Sequence, residues 1–196
     1  MPATFKRRIQ AYLIDLFLLA ILVSLTLVIF PNDKEKINET NKNINILSET
    51  YLNDKINTKE YLKEYSKYNY EIETLEIKTN IFNAIYIIFL FTIVPFISKG
   101  QTIGKIIMKA KVVNEDGSNI SLNSIILRAL LINFLIYPFI TIHLIYFIKP
   151  NLYFFISIFL TIIEFFIVIF TVFMVLYRHD KKGLHDILTK TKVIKI

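Results

Sequence analysis

Arg7-Arg8-Ile9-Gln10-Ala11-Tyr12-Leu13-Ile14-Asp15 opens an apolar run that carries no further charge until after Phe30. Such a run is long enough to cross a hydrocarbon core of about 30 Å as a helix. Within it Arg8, Ala11, Tyr12 and Asp15 fall at i, i+3, i+4 and i+7, which places them on one helix face. A carboxylate inside a spanning helix is costly and faces protein or water instead of lipid. Two readings of Asp15 follow. It is either half of a structural ion pair or a site for a proton or small cation.

Working outward, three more apolar blocks stand out, so that the spans are read at about 9–30, 81–97, 124–148 and 152–177. The basic patch Lys6-Arg7-Arg8 ahead of the first block looks like a signal peptide, but the run is too long and no small-x-small site follows Val28-Ile29-Phe30-Pro31. The first block therefore reads as a retained helix. Hydrophobic residues make up 54% of the 196, too many and too clustered for a soluble fold. With no cysteine, disulfides and thiolate metal sites are excluded. No metal or cofactor site is expected, and with no nucleophile elbow or phosphate-cradling loop the chain does not read as an enzyme.

The formal net charge of +7 is organised by topology. Lysines and arginines gather before the first block, in 98–123 and in 178–196, whereas the segment 31–80 has eight basic and ten acidic residues. The positive-inside rule then puts both termini and 98–123 in the cytoplasm and 31–80 outside. Nucleic acid is not an expected partner, because topology already accounts for the positive charge. The resulting expectation is an all-α membrane protein. Four transmembrane helices form two hairpins, with short cytoplasmic interfacial helices and strands, in one domain over 1–196.

Along the loops, 31–80 is polar enough that a solvated, partly disordered segment is preferred to a small folded cap. Asn57-Thr58-Lys59-Glu60 nevertheless resembles a helix start, with Tyr61, Leu62, Tyr65 and Tyr68 sharing a face. Tyr70-Glu71-Ile72-Glu73-Thr74 alternates like a short strand. Ser98-Lys99-Gly100 suits a helix C-cap. Gln101–Lys111 suits a short interfacial helix, with Thr102, Gly104, Lys105 and Lys109 near anionic headgroups. Val112-Val113 and Asn114–Gly117 read as a strand and a turn.

Arg128 lies one turn inside the third block, level with Asp15, and is its natural partner; the alternative is snorkelling to the interface. Asn133, Pro138 and His143 interrupt that block, and Pro138 predicts a kink. Glu164 sits alone near the centre of the fourth block, a second candidate for a proton or cation, or else a neutral acid bonded to a neighbouring helix. His185 and Asp186 adjoin but would point apart on a helix, so they do not make a metal site. Gly104–Val113 aligns without gaps with His185–Ile194. This predicts two parallel repeats in which Lys105 and Asp186 are equivalent and the two strands pair.

Arg8–Asp15, Gly100-Gln101-Thr102-Ile103-Gly104-Lys105, and Gly183-Leu184-His185-Asp186 followed by Thr191–Ile194 together resemble the RDD family of bacterial membrane proteins. The family is named for one arginine and two aspartates, matched here by Arg8, Asp15 and Asp186. The usage of Ile, Asn, Lys and Tyr is also that of low-GC bacteria. The resemblance implies a multi-pass protein of a bacterial cell membrane and, for some members, similarity to sodium/proton antiporters. Two functional readings are carried forward. In the first, Asp15 and Glu164 bind a small cation or proton for exchange, tuned by Arg8 and Arg128, in a homo-oligomer because four helices are few for alternating access. In the second, Arg8, Asp15, Arg128, Lys105 and Asp186 form a structural charge cluster in a non-transporting scaffold, assembly or lipid-recognition protein.

Overall fold

The computed structural model describes residues 1–133 and 135–196. Its first element, α1 (Phe5–Ile29), starts where Thr4 caps it by accepting from the Arg7 amide. The segment expected to be mostly solvated folds instead into α2 (Lys34–Leu52) and α3 (Thr58–Leu75). The capping box legible in the sequence is present, with Asn57 and Glu60 each accepting from the other's amide. Tyr51, Tyr61 and Tyr65 stack in series, and Tyr65 meets Phe154 edge-on. These rings supply the apolar contact that the average composition hid. Tyr70–Thr74, which alternates like a strand, lies inside α3.

After Glu76 the chain runs into α4 (Ile77–Ile88), a π-helical turn (Phe89–Ile93) and α5 (Val94–Ile97). The wide turn stands immediately before Pro95, whose ring nitrogen cannot donate to the helix. Gly100 then reverses the chain at φ +105°, and a Cβ there would lie 2.2 Å from the Val112 carbonyl oxygen. Two short elements follow, α6 (Ile103–Ile107) and β1 (Ala110–Asn114).

The third apolar block is not one helix. It divides into α7 (Leu122–Ile132) and α8 (Ile136–Leu144), inclined at 77°. Pro138 falls in the first turn of α8, where a missing N–H is tolerated, so the break precedes it. The chain ends with α9 (Pro150–Tyr177), α10 (Leu184–Leu188) and β2 (Thr191–Lys195). Phe5–Ile29, Ile77–Ile97 and Pro150–Tyr177 are each long and apolar enough to cross a membrane, and the bent α7–α8 pair is a fourth candidate. Their outward faces are apolar, with Phe17, Phe159 and Phe166 all more than 60% exposed. This is the surface a bilayer covers.

β1 and β2 pair antiparallel with Val112 opposite Val193, and this ladder reveals the internal repeat. Thr102 and Gly183 are the N-caps of the short helices, Met108 and Thr189 their C-caps, and Lys109 and Lys190 follow at φ 50° and 51°. Even the flanking bridges exchange: Pro2, ahead of α1, pairs with Ile194 on β2, and Asn119, ahead of α7, pairs with Val113 on β1. The strand pairing expected from the sequence is thus present, between two segments with the same order of short helix, turn and strand. Ala3, Val112, Ile120 and Val193 pack on it as a small core. Lys195 donates to the Met1 carbonyl, so both termini lie at this sheet end.

Candidate functional site

The charged residues converge on the two short helices beside the sheet. Asp15, buried on α1, does not meet Arg8 or Arg128. One oxygen accepts from the Thr102 hydroxyl at 2.5 Å and the other from the Gly104 amide at 2.7 Å. Thr102 in turn accepts from the Lys105 amide, so Asp15 reinforces the N-terminus of α6, where the backbone amides carry partial positive charge. Thr102 and Gly104 are therefore buried partners of Asp15 and do not face headgroups. Gly104 is required by contact, because a Cβ on it would stand 2.0 Å from the Ala11 carbonyl oxygen. Lys109 is exposed, and its carbonyl takes part in the fold, accepting from Arg7 and from the Ile196 amide.

Asp186 is the second centre. It is fully buried and bonded to Arg8 at 2.8 Å and Arg128 at 2.5 Å, and it also accepts from the Gly183 amide at 3.0 Å. Arg128 goes on to the Thr191 hydroxyl at 2.5 Å, which ties α7 to β2. The Asp15–Arg128 pair expected from matching depth is thus replaced by Arg128–Asp186, and Arg128 is buried rather than snorkelling. Matching depth alone could not choose, since it says nothing about which other groups satisfy each carboxylate. What decides is that Asp15 is satisfied by a helix N-terminus. The signal was present in Thr102-Ile103-Gly104, a cap residue followed by the one residue small enough to let α1 approach.

His185 and Asp186 do touch, at 3.3 Å, because Asp186 turns back within a one-turn helix. Burial pulls the His185 imidazole down to about 4, against the opposing influence of Asp186. Burial also opposes ionisation of Asp186, yet the neighbouring Arg128, His185 and Arg8 hold it well below the usual carboxylate range. Burial brings Lys105, half-buried beside Asp15, down to about 8. A neutral buried histidine has a consequence for stability. Between its folded value near 4 and its unfolded value near 6.5, the unfolded chain binds more protons, so stability falls as pH drops through that window. His185→Gln will flatten this part of the thermal stability profile of the detergent-solubilised protein, read between pH 6.5 and 4.

Glu164 stands apart from both centres. It is buried within α9, and one oxygen accepts from the Tyr137 amide at 2.9 Å in the first turn of α8. Its other oxygen has no partner among the described residues. Glu164 therefore caps the second half of the broken span, a role that becomes visible only once the break is known. The Tyr137 hydroxyl continues to Glu73 at 3.3 Å, and burial raises the Glu73 carboxyl against that bond.

The family model for the RDD family matches residues 2–190, from ahead of α1 to the end of α10. The chain belongs to the RDD family. RDD proteins are membrane proteins, in keeping with the three or four candidate spans. No curated protein and no solved structure matches the chain. In this RDD protein the three residues matched to the family name do not gather at one point. Arg8 and Asp186 bond to each other, while Asp15 holds α6, so the set fastens α1 to both repeats.

Proposed function

We propose that this RDD protein is a non-transporting membrane scaffold whose Arg8, Asp15, Arg128 and Asp186 are structural. The observation that carries the reading is Asp15 itself. Each of its oxygens accepts from α6 and it is buried, so its carboxylate is engaged in holding the fold together. Orientation follows from the charge pattern: the sheet end, with both termini, faces the cytoplasm, and the α2–α3 hairpin stands outside as the surface for a membrane-protein partner or a second copy. Vesicles of inverted membrane carrying the protein will show no cation-driven proton movement beyond empty vesicles. Asp15→Ala will lower the amount of folded protein recovered from the membrane several-fold.

A second reading, exchange of a proton or small cation, is supported by Glu164. Its unpartnered oxygen in mid-span is the acceptor such a path needs, and Glu73, bonded to the Tyr137 hydroxyl, is a second carboxylate nearer the outer segment. If exchange is measured and Glu164→Gln abolishes it at unchanged abundance, the scaffold reading is overturned.

A further inference from the structure

α1 packs on α4 and α6, and α9 packs on α3, α7, α8 and α10. Between α1 and α9 a cleft of about 150 Å³ is left at the level of the sheet. Its walls are apolar, formed by Ile9 on α1 and Val168, Val172 and Val175 on α9. Arg8, Lys105 and Arg128 also line it and make part of its wall cationic. These three cations face two carboxylates, Asp15 and Asp186, so one positive charge is left over where the dielectric is low.

Unused hydrogen-bonding groups lie in the same place. Among the described residues, few buried side-chain polar atoms lack a partner, yet Arg8 Nε, the Thr171 hydroxyl and His185 Nδ1 all do, and all three residues line this cleft. Thr171 and His185 are both more than nine-tenths buried. Buried polar groups are normally satisfied, and here three of the residues lining one cavity each carry an unsatisfied one. Arg8 Nε–H and the Thr171 hydroxyl can donate. His185 Nε2 lies 3.3 Å from Asp186, and with the proton of the neutral ring on that nitrogen Nδ1 is an acceptor.

We infer that the cleft between α1 and α9 is a binding site for an anionic phospholipid whose headgroup bears a free hydroxyl. The phosphate accepts from Arg8 and Thr171 and neutralises the excess charge, while the hydroxyl donates to His185 Nδ1. The upper end of an acyl chain fills the valine-lined part, since an apolar cavity of this size takes up small apolar groups. Entry is sideways from the bilayer, between the first and last spans.

The test uses the full-length protein, delipidated in neutral detergent and examined by native mass spectrometry and thermal unfolding. Phosphatidylglycerol, phosphatidylcholine and inorganic phosphate are the probes. One phosphatidylglycerol per chain will be retained and will raise the unfolding temperature, with phosphatidylcholine about tenfold weaker. Thr171→Val removes an unpartnered hydroxyl at constant shape, so it will leave the lipid-free protein folded while weakening phosphatidylglycerol about tenfold. Val168→Phe, which fills the apolar part, will do the same. Equal retention of both lipids, equal protection by inorganic phosphate alone, or undiminished binding in Thr171→Val would each overturn the inference.

Discussion

Asp186→Ala will destabilise the protein by about 3–5 kcal/mol, because it leaves two buried guanidinium groups facing each other without a counter-charge. Arg8 and Arg128 have side-chain exposures of 12% and 9%, so water cannot replace the lost carboxylate without opening the fold. The Gly183 amide also loses its acceptor at the start of α10. Thermal unfolding of the detergent-solubilised protein measures the effect. A cost below about 1 kcal/mol, typical of an exposed pair, would show that the cluster is solvated. Asp186→Asn keeps the volume and one acceptor but not the charge, and it will recover only a minor part of the loss. The pair is informative because each arginine comes from a different repeat. Arg8 is on α1 and Arg128 on α7, and they meet on Asp186 in the first turn of α10. The loss will therefore appear as separation of the two halves, with Lys109 and Lys190 amides on the sheet end exchanging hydrogen earliest.

How much of this arrangement was legible depended on whether a local pattern or a tertiary choice decided it. The α1 face bearing Arg8, Ala11, Tyr12 and Asp15 could be read from spacing, since a helix fixes which residues align. The repeat was legible for a similar reason: Gly104–Val113 and His185–Ile194 align without gaps, so helix, turn and strand recur in the same order. Partner choice was not legible. Asp15 and Asp186 each have cationic side chains within reach, and spacing along the chain says nothing about which oxygen meets which nitrogen. The outer segment shows the opposite case. Its polar average pointed to disorder, but Tyr51, Tyr61 and Tyr65 lie where two helices bring their rings together and onto Phe154. Composition averages over faces, and the helices separate them. Glu164 stood out in the sequence as a lone charge in an apolar block, yet its partner, an amide freed by the break ahead of Pro138, exists only because the third span is not continuous.

Gly104→Ala will be as damaging as the loss of a charge, although it adds one methyl group. The new Cβ would lie 2.0 Å from the Ala11 oxygen, 2.8 Å from the Ala11 carbonyl carbon and 3.0 Å from Asp15 Cγ. Two of these are helix backbone atoms, held by α1 along its length, so α6 must withdraw instead. Withdrawal lengthens the 2.7 Å bond from the Gly104 amide to Asp15 and the 2.5 Å bond from Thr102 together. Overpacking and the lost cap add to about 3 kcal/mol or more, with Asp15 then buried and unsatisfied. Because Gly104→Ala and Asp15→Asn break the same contact, their effects on unfolding temperature will not add, and the double variant will be little worse than Gly104→Ala alone. Full additivity would mean that Asp15 has a second role away from α6, and an exchange function would then have to be sought there. The expected non-additivity assigns the carboxylate on the first span to holding one short helix against it, with the glycine setting the distance.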